Sequence, residues 1–278
     1  MTNNAINTNI PIEVSKGGTA NTTFTAYSVV CAGTTATGAF QNVSGVGTAG
    51  QVLKSNGAGA LPTWQSDSSS GGFTSVVVQT FTADGTYTPT SGMSYCIIEV
   101  QAGGAGGGST PTTVVGGGGG GGEYRRGVFS AATIGASQAV TVGAGGGGSA
   151  AGGVSSVGAL ISANGGSPGG EASSYGPPGA GGSGGTGGDF SIPGGPGGSG
   201  STFSLGVSNA SATSGVGGNS FFGSGAYSPV LISPISSDAN GVNASNYGAG
   251  GSGALSAIGP ATGGSGSQGI VIITEFIA

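Results

Sequence analysis

The chain has 278 residues, of which 68 are glycine and 12 are proline, while only 5% are charged and 35% are hydrophobic. Glycine and proline at this level are typical of disordered chains, but such chains are usually highly charged and poor in apolar residues, so we expect this one to fold. A net charge of −5 with four scattered basic residues excludes a basic surface for nucleic acid or an anionic membrane.

Residues 1–70 form the first predicted module, a small β-rich stem or attachment module rich in Thr, Asn, Gly and Val. Its clearest element is a β-hairpin, in which residues 51–54 and 61–64 flank a glycine turn opened by Asn56 and Gly57. Trp64 is the only tryptophan, and we interpret it as an anchor in a small core or a subunit interface. The Ser- and Gly-rich stretch that begins at Ser66 indicates a linker.

Residues 71–278 form the second predicted module, in which short apolar strands alternate with glycine tracts. Strands are predicted in FTSVVVQTFTADGTYTPT, YCIIEVQA, EYRRGVFSAATIGASQAVTVG, VSSVGALISANGG and GIVIITEFIA. Glycine tracts follow these strands at 103–108, 116–122, 143–148, 164–200 and 263–269. The predicted fold class is therefore all-β, with a sandwich-like scaffold, polyglycine II helices or glycine-rich loops, and essentially no α-helix.

The tract from Gly176 to Gly200 has glycine at every third position of one phase, a row that only Ser191 interrupts. A three-residue repeat matches the polyproline II helix, which has three residues per turn. The collagen triple helix is the alternative, but it requires imino acids at places where this tract has a second glycine. Because a backbone hydrogen bond only about offsets the entropy of ordering a glycine, such helices need many neighbours and a scaffold at their ends.

A family resemblance covers most of the chain. The runs GTYTPTSGMSYCIIEVQAGGAGGG, GGGGGGGEYRRGVFSAATIGASQAVTVGAGGGG and GGSGSQGIVIITEFIA occur in the order of the elements of a glycine-rich domain. The second module thereby resembles the glycine-rich domain of bacteriophage tail fibre and related virion proteins, and it is also similar to the polyglycine tip adhesins of T-even-type phages. Residues 11–66 resemble the module that precedes distal domains in phage fibre proteins.

The resemblance implies a virion structural protein, either a homotrimeric tail fibre or a fibre tip that recognises the host cell. Its expected partners are other tail proteins, through the first module, and a host surface polysaccharide or outer-membrane protein. We expect no nucleic acid, no membrane insertion and no cofactor, and a location in the virion after assembly in the host cytoplasm. The alternative is a purely structural capsid decoration or self-assembling extracellular filament. An ice-binding polyglycine protein is less favoured, since the start of the chain has no secretion signal.

Aromatic residues that interrupt the glycine tracts are the candidates for receptor contact, because they provide contact area at low entropic cost. They are Tyr175, Phe190, Phe221, Phe222, Tyr227 and Tyr247. The alternative is that they cover glycine faces as small satellite cores. Trp64, Arg125 and Arg126 are candidates for assembly, and the two arginines beside Glu123 suggest a solvated or intersubunit ion pair.

Catalysis has little support in the sequence. There is no histidine, so Ser-His-Asp sites, Cys-His sites and histidine metal ligands are excluded. The nine acidic residues are thinly spread, and none stands in a calcium-loop spacing. We expect neither an enzyme nor a metal site, and we expect Cys31 and Cys96 to be buried free thiols, with a disulfide between them as the alternative.

Overall fold

The computed structural model describes residues 12–14, 18–67, 72–204, 210–232 and 237–278. The chain divides into two compact units, residues 1–72 and residues 73–278. Within its described residues, unit 1 contains two antiparallel two-stranded sheets, β1 with β2 and β3 with β4. Their bounds are Val30–Cys31 (β1), Gln41–Asn42 (β2), Gln51–Lys54 (β3) and Thr63–Ser66 (β4).

The hairpin predicted in unit 1 is confirmed, although its second strand begins two residues later than expected. Leu53 pairs with Trp64 across β3 and β4. The Trp64 indole Nε1 donates to the Gly45 carbonyl oxygen at 3.2 Å. Its ring lies so close to Gly47 that a Cβ there would stand 2.9 Å from Trp64 Cδ2. Trp64 is thus half-buried and packs against the 45–47 turn within unit 1, and its role as an anchor stays a prediction.

Unit 2 contains the remaining described strands and one short helix. They are β5 (Ser75–Phe81), β6 (Gly85–Tyr87), β7 (Met93–Gln101), β8 (Val115–Gly116), β9 (Tyr124–Ser130), α1 (Ala131–Ile134), β10 (Gln138–Thr141), β11 (Ser155–Val157), β12 (Ile161–Ala163), β13 (Glu171–Ala172), β14 (Tyr175–Gly176), β15 (Thr186–Gly187), β16 (Phe190–Ile192), β17 (Gly200–Ser204), β18 (Ala210–Thr213), β19 (Val230–Ile232) and β20 (Ile270–Ile277). The all-β fold class is thus confirmed, with a helix of four residues as the exception.

Two five-stranded antiparallel sheets enclose the main core of unit 2. Their strand orders are β16-β9-β7-β20-β5 and β15-β12-β11-β10-β6. The central strands β7 and β20 alternate along their length, so that Cys96, Ile98, Val100, Val271 and Ile273 point inward and are fully buried. This alternation is the period of two that a half-buried strand requires, and it explains why these two runs are the strongest strand signals in the sequence.

Glu275 is the one carboxylate inside this core within the described part of the chain. Its Oε1 accepts hydrogen bonds from the Tyr87 hydroxyl at 2.8 Å and the Thr90 N–H at 3.0 Å, and its Oε2 accepts from the Thr90 hydroxyl at 2.5 Å. Burial alone would raise the pKa of Glu275, but these bonds and one from Gln79 outweigh it and hold the pKa below its usual value. The buried charge is therefore satisfied by donors.

The glycine tracts lie side by side and exchange lateral backbone hydrogen bonds. Every third N–H group of segment 102–108 points to the same neighbour, and none of its glycines has a positive φ. The three rows donate in turn to segments 116–123, 150–153 and 263–269. A donor row that repeats every third residue is the pattern of the polyproline II helix, so these tracts are polyglycine II helices.

Together the helices form a hexagonal array, which we call the glycine lattice. Segment 116–123 has six neighbours, and each bonds to the next to close a ring. These neighbours are segments 102–108, 164–170, 177–182, 194–198, 214–219 and 248–254. A second such ring, which contains segments 143–149, 150–153 and 263–269, surrounds segment 102–108. The helices have many neighbours and a β-scaffold at one end, as expected from the sequence.

Glycine is required in the lattice because the backbones approach too closely for a side chain. A Cβ on Gly119 would lie 2.3 Å from the Ala105 carbonyl oxygen. Prolines stand only where the N–H group would point outward: Gly195 and Gly197 donate to neighbouring segments, whereas Pro196 between them faces solvent. Proline at such a position stiffens an outer row of the lattice, and no lateral hydrogen bond is lost because the N–H group it replaces would point to solvent.

The tract from Gly176 to Gly200 does not form one continuous helix, which corrects the prediction. It folds into two antiparallel segments, because Gly184, Gly187 and Gly188 adopt positive φ and reverse the chain. β16, which contains Ser191, then pairs with β9 of the scaffold. The interruption of the glycine row at Ser191 therefore marks a strand, and the two segments join one chain's lattice instead of a collagen triple helix.

Candidate functional site

The glycine lattice separates two ends of unit 2. Segment 102–108 begins directly after β7, and segment 116–123 ends directly before β9, so residues 102 and 123 lie at the scaffold. Residues 108 and 117 pair at the opposite end, six residues away. At about 3.1 Å per residue, this end is about 19 Å from the scaffold. We call the turns there, residues 109–115, 149–150, 171–176, 199–204, 210–213, 227–232, 237–240 and 255–262, the distal loops.

The distal loops contain two of the six aromatic residues predicted for receptor contact. Tyr175 in β14 is 55% exposed, and its hydroxyl accepts a hydrogen bond from Ser199 Oγ at 2.9 Å. Tyr227 is 71% exposed. Both side chains present most of a ring to solvent, as a contact residue must. The role of these two tyrosines in binding stays a prediction.

A four-stranded antiparallel sheet in the distal loops carries further exposed apolar side chains. Its strand order is β14-β17-β18-β19, so β19 is an edge strand. Val230 and Ile232 of β19 point to solvent, while Leu231 between them packs inward. Ile258 in the last distal loop is 71% exposed. Exposed apolar side chains gathered at one end of a molecule are typical of an interaction surface.

A small apolar cluster supports this sheet from within. Val115 and Leu255 are buried together with Ala212, and the shallow cavity beside them measures about 170 Å³. Asp238 fixes the last distal loop, because its Oδ1 accepts the backbone N–H groups of Ala257 at 2.6 Å and Ile258 at 2.9 Å. These bonds lower the pKa of Asp238. The exposed side chain of Ile258 is therefore held on an ordered loop.

The distal loops contain no basic residue. Lys16 and Lys54 lie in unit 1, and Arg125 and Arg126 lie in β9 of the scaffold. Glu171 and Asp238 are the charged residues of the distal loops. This end of unit 2 thus suits an uncharged, partly apolar ligand and has no guanidinium or ammonium group for phosphate.

The other four aromatic candidates lie at the scaffold end of the lattice. Phe221 stacks on Tyr124 with 4.1 Å between ring centroids, and Phe222 meets Phe221 edge-on at 5.1 Å. The Tyr247 carbonyl oxygen accepts from Ser220 Oγ beside this pair. Phe190 stands in β16, opposite Arg126. The structure therefore does not bring the six candidates together, and it divides them between opposite ends of unit 2.

The two arginines also differ in their surroundings. Arg125 Nε lies 2.8 Å from Glu123 Oε1, and the Glu123 side chain is only 2% exposed. Glu123 Oε2 accepts from the N–H groups of Asn164 and Gly185. This pair is a buried contact within one chain at the base of the lattice, which corrects the prediction of a solvated or intersubunit pair. Arg126 makes no ion pair with the described residues.

The apolar residues Val230, Ile232 and Ile258 were not among the residues predicted for receptor contact. The signal that was present is the run SPVLISP, in which an apolar stretch is bounded by serine and proline on both sides. Proline confines a strand to a sheet edge, so such a run favours an exposed edge strand over a core strand.

The chain matches no protein-family model, and no curated protein matches it either. In the described residues, no helix is long and apolar enough to cross a membrane. The same residues contain no cluster of three or more His, Cys, Asp or Glu side chains suited to a metal ion. Both cysteines are free thiols; Cys96 is buried, as predicted, whereas Cys31 is only half-buried.

Proposed function

We propose that this protein is a virion structural protein of a bacteriophage, and that its second unit is the host-recognising tip of a tail fibre. The observation that supports this most is the gathering of exposed apolar and tyrosine side chains at the end of the lattice farthest from the scaffold. The lattice carries these loops about 19 Å from the sheets, on backbone that lateral hydrogen bonds hold in place.

The loops suit recognition for a physical reason. Tyrosine and isoleucine side chains on ordered loops lose little conformational entropy when they bind, because their supports are fixed beforehand. Tyr175, Tyr227, Ile232 and Ile258 are the residues proposed to touch a host polysaccharide or outer-membrane protein. The homotrimer, and the attachment of unit 1 to other tail proteins, complete the proposal. The sequence resemblance to fibre proteins supports both.

Adsorption to whole cells tests the proposal. The purified full chain, fluorescently labelled, is incubated with a panel of bacterial strains, and its binding is compared with its ability to block phage infection of the same strains. We expect binding to the infected strains only. The double variant Tyr227→Ala/Ile258→Ser is expected to lose at least about tenfold in affinity, the loss that about 1.4 kcal/mol represents. Tyr247→Ala, at the scaffold end, is the matched control and is expected to bind as the wild type does.

Binding that is unaffected by the distal variant, or equal binding to strains that the phage does not infect, would contradict this function. Immunogold labelling of intact particles supplies the second test. Label at the fibre tip agrees with the proposal, whereas label spread over the capsid, or long filaments grown by the isolated chain, would favour the structural alternative.

A further inference from the structure

The scaffold has a second apolar surface on the side of its sheet that faces away from the core. In the sheet β16-β9-β7-β20-β5, the residues between the buried ones point to this side. We call it the outer face. The side chains that form its centre are Val76, Val78, Tyr95, Ile97, Val128 and Phe276.

Cross-strand pairs make these side chains one continuous patch. Phe276 pairs with both Val76 and Tyr95, so a row of apolar side chains crosses β5, β20 and β7. The Tyr95 and Phe276 rings stack at 4.6 Å, and the ring of Phe73 meets each of them edge-on at 5.2 Å. Aromatic contacts of this kind order the rings in place before anything binds them.

No described element of unit 2 covers the outer face. Val76 is 54%, Val78 59% and Val128 50% exposed. Phe190 and Phe221, two of the residues predicted for receptor contact, flank the same face and are each about half exposed. Monomeric soluble proteins rarely expose a contiguous apolar patch of this kind. We therefore expect the outer face to be buried against a partner surface.

The charges of the outer face are complementary to those of a copy of itself. Glu99 and Arg126 are paired opposite each other on β7 and β9, and both point outward. Glu99 accepts from the Tyr124 hydroxyl at 2.6 Å, while Arg126 makes no ion pair with the described residues. The Glu99 and Arg126 charges balance each other on the face, and the Asp189 carboxylate at its edge accepts a hydrogen bond from the Val128 N–H at 2.9 Å. A copy of this chain can thus bring its Glu99 to Arg126 without like-charge repulsion.

The free edge of the face is also unprotected. β5 is the terminal strand, and its sequence SVVVQTF contains no charged residue and no proline. Proteins usually block such edges with lysine, proline or a bulge. The outer rows of the glycine lattice do carry prolines, as at Pro193 and Pro196. Prolines thus stand at the edge of the glycine lattice, whereas the edge strand β5 has neither proline nor charge.

The area of the face suits a stable association. Its four longer strands, about 4.8 Å apart and seven to nine residues long, cover about 450 Å² of sheet. The half-exposed rings of Phe73, Phe190 and Phe221 add about 100 Å² each, so the face approaches the roughly 800 Å² that each partner buries in an interface of standard size.

We propose that the outer face packs against the outer faces of other copies of this chain, and that Arg126 of one copy meets the carboxylate of Glu99 in the next. This inference assigns the interface of the oligomer in the proposed function, and it rests on that proposal only for the expected number of copies. Three such faces turned toward a common three-fold axis bring their apolar rows into one shared core, and each face is divided between two neighbouring copies.

The test is the mass of the full chain in solution, measured by light scattering and native mass spectrometry at about 20 µM, where an interface of micromolar or tighter affinity is largely occupied. The wild type is expected at three times the 25.5 kDa chain mass. Val76→Lys/Val78→Lys is expected at the mass of one chain. Both valines are more than half exposed on an edge strand, so the variant is expected to fold. Val154→Lys, 46% exposed and outside this sheet, is the matched control and is expected to keep the wild-type mass.

Two results would overturn the inference: a wild-type chain that is monomeric at this concentration, or a lysine variant that keeps the wild-type mass. Val128→Lys, on the opposite half of the face, gives an independent variant should the first one fail to fold. Circular dichroism checks the fold of each. Host adsorption is measured separately, so an oligomer that binds no cells would contradict host recognition alone. A trimer that binds cells but keeps its mass in the lysine variants would contradict this inference alone.

Discussion

Gly119→Ala tests the physical basis of the glycine lattice. Gly119 lies in the central segment 116–123, where its N–H donates to Gly251 and its carbonyl oxygen accepts from Gly218. A Cβ at this position would stand 2.3 Å from the Ala105 carbonyl oxygen and 2.5 Å from that of Gly106. Ordinary contact begins near 3.4 Å. The two central segments would therefore have to separate by about 1 Å to admit one methyl group.

The cost of that separation follows from the bonds between the segments. The Ala105 N–H bonds to the Gly120 carbonyl oxygen at 2.9 Å, and a shift of about 1 Å would break this bond. A lost hydrogen bond costs about 0.5–1.5 kcal/mol, and overpacking costs about 1–3 kcal/mol. We expect a destabilisation of about 3 kcal/mol. For a unit of about 200 residues this lowers the Tm of unit 2 by about 10 °C.

Calorimetry measures this change, and hydrogen exchange of the segment 102–123 amides locates it. The matched control is Gly147→Ala, in an outer lattice segment where a Cβ would meet nothing within 4 Å. This control is expected to be neutral or more stable by about 0.4–1 kcal/mol, because alanine restricts the unfolded chain. Equal Tm values for the two variants would refute the close-packed lattice.

Three further predictions concern single side chains. Glu275→Gln is expected to cost about 1–3 kcal/mol at pH 7, and because the folded-state pKa of Glu275 is lowered, this cost is expected to shrink as the pH falls from about 4.5 through the folded pKa. Pro196→Gly is expected to lower stability by only about 0.4–1 kcal/mol, whereas Gly197→Pro removes a lateral bond and is expected to cost at least about 3 kcal/mol. Iodoacetamide is expected to alkylate native Cys31 and to spare Cys96, since burial raises the pKa of the Cys96 thiol and hides it from the reagent.

Urea titrations across the pH range measure the first two, and mass spectrometry of labelled peptides measures the third. A pH-independent cost for Glu275→Gln would show that the carboxylate charge does not stabilise the fold. Similar costs for the two changes at 196 and 197 would contradict the assignment of outward and inward rows, and rapid labelling of Cys96 would contradict its burial.

Most of the fold could be predicted from two sequence patterns: the alternation of apolar and polar residues in β7 and β20, and the glycine repeats. Both depend on local periodicity, which a single chain displays directly. The chain reversal between Gly184 and Gly188 could not be predicted from the sequence. Glycine has no side chain, so it adopts the negative φ of a helix and the positive φ of a turn about equally well. Which glycine reverses the chain is decided by the pairing of β16 with the scaffold.

The candidate site was predicted only in part for a different reason. Tyr175 and Tyr227 were selected because aromatic residues stand out among glycines, whereas Ile232 belongs to an apolar run of the kind that also builds cores. An apolar side chain is more stable when it is buried, but its hydrophobicity does not show whether other residues of the folded chain bury it. The same holds for Val76 and Val78, whose exposure depends on β5 being the last strand of its sheet.

The direction of the lateral bonds in the glycine lattice determines how unit 2 bears a mechanical load. The N–H to carbonyl bonds run across the helices, while the helices run from the scaffold to the distal loops. A pull between these two ends acts along the helices and loads the cross-links in shear, so many of them share the tension at once and none opens alone. A tether anchored at the scaffold and stressed at its far tip would thus resist rupture as a bundle, although each of its links is individually weak.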